Sequence, residues 1–138
     1  MRDIVDRYEA GLLPERPVVA RRHDEDDLQR DVVKFLRLAL PDDATFYHPA
    51  NGGLRSRKVA QRLSGMGVVP GVPDLAIVHR GRALFIELKS RRGVVSADQR
   101  EMHRRLIYCG AAVCLCRSLG EVEAALLEAC VPLKARLS

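Results

Sequence analysis

Apolar positions recur with helical spacing at Leu28, Val32, Phe35, Leu36 and Ala39, a single stripe at i, i+4, i+7, i+8 and i+11. That period predicts an amphipathic helix. Asp24 is placed to cap it, with Asp27 three residues on and an acidic first turn that suits the helix dipole. Pro41 stops it. Residues 44–48 (Ala-Thr-Phe-Tyr-His) read as a short strand, Pro49 to Gly53 as a turn, and residues 55–64 as a basic helix ending at Gly65 or Gly67. The run Val68-Val69-Pro70-Gly71-Val72-Pro73 is stiff and extended, because each proline restricts itself and the residue before it. Two strands follow, Asp74–His79 and Arg82–Lys89, on either side of Arg80-Gly81. Gly93 breaks the chain. Ser96 and Gln99 form an S-x-x-Q capping box for a helix to about Cys109, with Gly110 as its stop. Ala112–Cys116 is a strand, and Ser118 with Glu121 opens a last helix that ends near Cys130, before Pro132. The order α-β-α-β-β-α-β-α predicts a single α/β domain over residues 23–138. Ahead of it, residues 1–22 carry only a weak amphipathic pattern (Ile4, Val5, Tyr8, Leu12) and then Pro14 and Pro17, which reads as an N-terminal arm.

Composition narrows the function classes. The chain has 138 residues, of which 47% are hydrophobic and 30% charged, so a folded domain with one modest core is expected. No apolar run approaches the roughly 20 residues of a membrane-spanning helix, and the N-terminus lacks a signal-peptide layout, so a cytoplasmic protein is expected. Cys109, Cys114, Cys116 and Cys130 lie in hydrophobic stretches and read as reduced core thiols rather than a disulfide framework. Aromatics are only 4% with no Trp, which argues against a base-stacking single-strand binder. The net charge of +5 is unevenly placed: residues 1–43 carry −3, residues 44–105 carry +8 and residues 106–138 balance. A basic belt of that size suits a polyanion such as nucleic acid, or is simply a solvated surface.

Within the belt only four acids remain: Asp74, Glu87, Asp98 and Glu101. In the strand Arg82–Lys89, strict alternation puts Glu87 and Lys89 on one face and Leu84, Ile86 and Leu88 on the other. If Arg80-Gly81 is a two-residue hairpin turn, Asp74 lies opposite Glu87 with Cβ atoms about 4.5–5.5 Å apart. Like charges held so close need compensation, and a divalent cation supplies it. On the first helix, counting 100° per residue places Glu25 about 60° from the stripe centre, toward the core, whereas Asp26 faces solvent. Carboxylates on a divalent metal beside a lysine suit phosphodiester hydrolysis by water, with Lys89 orienting the water or steadying charge on the phosphorane. The structural alternative is a Glu87–Lys89 ion pair at a strand end with Asp74 capping the loop.

The whole run, Glu25-Asp-Asp-Leu-Gln29, Asn51-Gly-Gly-Leu-Arg55-Ser56, Gly67-Val-Val-Pro-Gly-Val-Pro-Asp74-Leu75, Phe85-Ile-Glu87-Leu-Lys89 and Ser96-Ala-Asp-Gln99, resembles the short stand-alone form of the VRR-NUC (virus-type replication-repair nuclease) family. That family belongs to the PD-(D/E)XK nuclease superfamily. The resemblance implies a restriction-endonuclease-like domain with a central mixed β-sheet flanked by helices. It also implies Mg²⁺ or Mn²⁺ held by Glu25, Asp74, Glu87 and the carbonyl of Leu88, with Lys89 as the catalytic lysine. Gln99 matches a polar position by the active site, although its capping-box role explains it equally well. His103, one helical turn on, either faces the same cleft or is structural. Asn51-Gly52-Gly53 is either a simple turn or, with Arg55, Arg57, Lys58 and Arg62, a backbone-and-charge contact to phosphate. Arg91 and Arg92 are placed to touch the backbone of the scissile strand. Cys114-x-Cys116 has no partner pair for a metal and reads as core.

The reading that results is a divalent-metal-dependent DNA endonuclease. By resemblance it is a homodimer acting on branched or four-way (Holliday) junction DNA, in DNA repair in a bacterial cell or a phage-infected host. The rival is a non-catalytic nucleic-acid-binding or junction-scaffolding protein on the same fold.

Overall fold

A computed structural model describes residues 21–50 and 56–138; residues 1–20, and with them all but the end of the expected arm, lie outside the described residues. Helix α1 spans Arg21–Ala39, followed by strand β1 (Ala44–Tyr47), helix α2 (Arg57–Gly65), β2 (Leu75–His79), β3 (Arg82–Leu88), α3 (Ala97–Tyr108), β4 (Ala112–Cys116) and α4 (Leu119–Glu128). The element order is the one the pattern predicts. The sheet is mixed: β1, β2 and β3 run antiparallel and β4 adds in parallel, in the order β1-β2-β3-β4.

Register follows from the hairpin. Arg80 and Gly81 adopt φ of 48° and 78°, the two left-handed positions of a type I′ turn whose twist matches its flanking strands. Arginine is poorly suited to such a φ; here its Nε donates to Asp43 Oδ2 at 2.8 Å, tying the turn to the loop before β1. With Leu75 opposite Ile86 and His79 opposite Arg82, the faces of the sheet are fixed. Leu75, Ile77, Leu84, Ile86 and Leu88 form one core with Val32, Phe35, Leu36 and Ala39 of α1 and Val122, Ala125 and Leu126 of α4. Helix α3 covers the opposite face, where its buried His103 meets Glu87. The domain is therefore three layers, helices on both sides of a four-stranded sheet.

Three local expectations shift. Helix α1 already runs at Arg21, so Asp24 sits inside the first turn rather than capping it. At α4, Ser118 Oγ accepts from Glu121 N as a cap should, but the Glu121 carboxylate reaches the backbone N–H of Arg117 instead of closing the box on Ser118. The cysteines are free, yet only Cys116 is buried; Cys114 is partly covered, and Cys109 and Cys130 are exposed at the C-terminal ends of α3 and α4. Those two follow the last turn of a helix, where the apolar stripe has already left the core.

Candidate active site

The site assembles where β3 leaves the sheet. Val72 and Pro73 deliver Asp74 to the start of β2, and the antiparallel register places it across from Glu87. Asp74 Oδ2 accepts from Leu88 N at 2.7 Å, which fixes that carboxylate against the neighbouring strand. Its carbonyl is met by His48 Nδ1 at the end of β1. Glu87 is 1% exposed, as is His103. Gln99 Nε2 donates to Glu87 Oε1 at 3.0 Å, and His103 Nε2 lies 3.1 Å from Glu87 Oε2, so helix α3 holds both oxygens.

The electrostatics follow from burial. Burial, then the adjacent Glu87 carboxylate, pushes the Asp74 carboxyl up to about 7. Burial likewise pushes Glu87 up to about 7, opposed by its hydrogen bond with Asp74 and by the charge of Lys89, with Glu25 adding a smaller rise. Two carboxylates facing each other in a dry setting resist ionising together. His103 moves the other way, to about 4, because burial and then Lys89 disfavour its charged form. It is therefore a neutral imidazole at pH 7.

Glu25 reaches the same place from α1. Its Oε1 accepts from Ser90 N at 3.2 Å, one residue beyond Lys89, which is itself buried. Gly93 closes over this group: a Cβ there would stand 2.6 Å from Glu25 Oε1, 3.1 Å from Ser90 Oγ and 3.2 Å from Lys89 Cδ. Ser90 Oγ is buried and has no hydrogen-bond partner among the described residues. The approach of the loop before β2 is just as close. Gly71 has φ +81°, and a Cβ on it would run into Asp98 O in the first turn of α3. The Pro70–Pro73 loop and the cap of α3 are thus packed backbone to backbone.

Asp74, Glu87, Lys89, Glu25, Gln99 and His103 are brought together. The donor chemistry fits a hard divalent cation, since a half-buried Asp74 facing a buried Glu87, both with raised proton affinity, is a place where a cation can replace a proton. Among the described residues no three acidic, His or Cys side chains are close enough to hold a metal ion by themselves. Arg91 and Arg92 are exposed in the turn just past Lys89. Arg57, Lys58 and Arg62 are exposed on α2, none of whose residues is buried; Asn51, Gly52 and Arg55 lie outside the described residues.

Arg117 joins the site without having been expected there. Its Nη1 lies 2.6 Å from Ser90 O, 2.9 Å from Gly93 O and 3.4 Å from Arg91 O. Only the parallel pairing of Leu88 with Cys116 sets residue 117 beside that turn, and nothing in the linear pattern signals it. A cavity of about 710 Å³ lined by Gly81, Cys109, Cys114 and Cys130 opens at the hairpin end of the sheet and contains none of the site residues.

No family model matches the chain, and no curated protein does. Solved structures do. A VRR_NUC domain protein superposes with a TM-score of 0.55 at 20% identity, over 75% of this chain and 84% of that one. A VRR_NUC domain superposes at 0.50 with 24% identity, over 76% of this chain and 95% of that one. With a mixed four-stranded sheet between two helical layers and the carboxylate pair at the end of its central hairpin, this chain has the fold of the VRR_NUC domain.

Proposed function

We propose that the chain is a VRR-NUC nuclease that hydrolyses DNA phosphodiester bonds with a divalent metal, Mg²⁺ or Mn²⁺. The observation that carries this reading is the apposition of half-buried Asp74 and buried Glu87 across the hairpin, with Lys89 next on the same strand face. Asp74 and Glu87 would hold the metal, with the Leu88 carbonyl and, by the family reading, Glu25 moving in to complete the set. When bound, it would polarise the phosphoryl oxygen and lower the pKa of a bound water.

The chain's own residues do the rest. Leu88 N orients Asp74, while Gln99 and His103 orient Glu87, so neither carboxylate has to reorganise. Lys89 brings a positive charge to the phosphate as negative charge builds on it. The exposed Arg57, Lys58, Arg62, Arg91 and Arg92 supply sequence-independent attraction to a DNA backbone. Branched or four-way junctions and a homodimer that engages two strands follow from the family reading.

The second reading is a non-catalytic DNA-binding protein on the same fold, favoured by the lack of a closed three-ligand cluster among the described residues. One experiment separates the two. Linear, nicked, flapped and four-way DNA are incubated with protein and Mg²⁺, Mn²⁺ or EDTA, with the solution mass measured alongside. Metal-dependent cleavage that disappears in Lys89→Ala and Asp74→Asn supports the nuclease. Binding without cleavage in the wild type, or full cleavage in both variants, rejects this mechanism.

A further inference from the structure

We propose that Arg117 is a positioning residue of this site, whose guanidinium gathers the carbonyls of the turn after β3 and thereby sets Glu25 and Lys89 against the Asp74–Glu87 pair. The inference rests on the nuclease reading and extends it to a residue outside the carboxylate–lysine motif.

Lys89 N donates to Cys116 O at 3.1 Å, carrying the β3–β4 ladder one step past the strand end. Arg117, the next residue, therefore stands beside the chain as it turns away. Its Nη1 is within reach of three carbonyls, those of Ser90 at 2.6 Å, Gly93 at 2.9 Å and Arg91 at 3.4 Å. Among the described residues, the turn's own backbone closure is Gly93 N to Ser90 O at 3.0 Å. Charge-assisted bonds from a rigid guanidinium are about twice as strong as neutral ones, so Arg117 contributes more to the shape of this turn than its own backbone closure does.

The other side of the same turn is the site. Ser90 N donates to Glu25 Oε1, and the Gly93 backbone sits against Glu25 Oε1 and Lys89 Cδ. One layer of backbone separates the guanidinium from both side chains. If the turn loosens, Glu25 loses its donor, Lys89 loses the wall behind its stem, and Arg91 and Arg92 lose their anchor. Arg117 is itself held, because its backbone N–H donates to Glu121 Oε2 in the first turn of α4.

The test uses the full chain as wild type, Arg117→Ala and Arg117→Lys, with Arg30→Ala as a surface control. Amide hydrogen exchange reads the turn, and single-turnover cleavage of four-way DNA with Mg²⁺ reads the chemistry. In Arg117→Ala, amides of residues 90–93 should exchange at least about tenfold faster while the core stays protected. The rate at saturating DNA should fall by about 100-fold, with less than about threefold change in the half-saturating DNA concentration. Arg117→Lys should fall in between, and low-millimolar guanidinium should restore part of the Arg117→Ala rate. Unchanged exchange at 90–93 overturns the clamp. Faster exchange with an unchanged rate, or a loss confined to half-saturation, overturns the positioning role. Should Arg117→Ala fail to fold, Arg117→Lys carries the test, and a rate equal to wild type overturns the proposal. A wild type that cleaves nothing rejects the nuclease reading and the positioning role together, and the exchange comparison still distinguishes that result from loss of the clamp.

Discussion

Gln99 ties helix α3 to Glu87 while capping its own helix: Oε1 accepts from Ser96 N at 2.9 Å and Nε2 donates to Glu87 Oε1 at 3.0 Å. The sequence leaves Gln99 open to a capping role or a site role. A side-chain amide has an acceptor and a donor on one carbon, and at the third residue of a helix pointing into the sheet it uses one for each. The helix terminus is thereby locked to the carboxylate it orients.

Substitutions at Gln99 should separate the two roles. Gln99→Ala removes both bonds and is expected to lower stability by about 1 kcal/mol as well as slowing cleavage. Gln99→Glu keeps the S-x-x-E box but turns a carboxylate toward Glu87. It should fold with nearly wild-type Tm at pH 5, lose stability at pH 8, and cleave at least about tenfold more slowly at pH 7. Thermal melts at the two pH values together with single-turnover rates check this; a Gln99→Glu protein with wild-type melting at pH 8 would contradict the geometry.

Protonation of the carboxylate pair sets a pH dependence for the metal-free protein. Asp74 and Glu87 are both raised to about 7 when folded, from 3.8 and 4.5. The native state therefore binds more protons than the unfolded chain between about pH 4 and 7, and stability falls as pH rises through that window. His103, lowered to about 4 from 6.5, acts oppositely: its contribution is present above pH 6.5 and is lost as pH falls toward 4. Two carboxylates outweigh one imidazole, so the expected net change is a drop in Tm from pH 5 to pH 8. Asp74→Asn should flatten the profile and raise Tm at pH 8 while abolishing cleavage. Mn²⁺ should restore the wild-type Tm at pH 8, and denaturation curves with and without the metal read both effects.

Legibility divides along a physical line. The Asp74–Glu87 apposition can be read from sequence because a two-residue hairpin leaves one register, and Arg80-Gly81 takes the φ values of 48° and 78° that such a turn requires. The α3 cap is local and equally readable, with both halves of the Ser96–Gln99 box formed. Glu25 can be assigned from helical periodicity alone, since 3.6 residues per turn fixes which of four consecutive acids faces the sheet. What cannot be read is non-local. Parallel pairing of β3 with β4 has no turn to set its register, so Arg117 has no sequence signal. The close approach of Gly71 to Asp98 O joins a loop and a helix turn 27 residues apart, and the exposure of Cys109 and Cys130 depends on where each helix ends relative to the core.

Gly71 offers a test of that loop packing. An alanine Cβ would run into Asp98 O and stand 2.7 Å from Gln99 N, both backbone atoms, at a φ of +81° that a side chain resists. Either the 70–73 loop or the first turn of α3 must move, which is expected to cost about 2–4 kcal/mol. Because the loop leads into Asp74 and the helix turn carries Gln99, the rate should fall even under conditions where the variant remains folded. Gly67→Ala makes the comparison: its φ of +96° is also left-handed, but no atom lies within 4 Å. It should show only the smaller strain of the backbone, about 1 kcal/mol, and retain activity. Equal destabilisation of the two by chemical denaturation would remove the case for close packing.

Helix α2 should act on binding without acting on stability. Ser56 caps it and Gly67 follows its end at left-handed φ, so its termini are formed locally. None of its residues is buried, and Arg57, Lys58 and Arg62 carry no acidic partner among the described residues. Replacing Arg57, Lys58 and Arg62 together by Gln removes three charges and leaves the core untouched, so unfolding free energy should stay within about 0.5 kcal/mol of wild type. If all three meet phosphates, the slope of log K against log salt for duplex DNA should become shallower by about 2.7, or about 0.9 for each phosphate no longer neutralised. Cleavage at saturating DNA should persist, since Asp74, Glu87 and Lys89 are unchanged. An unchanged salt slope would place the DNA track elsewhere on the surface, with the exposed Arg91 and Arg92 beside Lys89 as the basic groups that meet it.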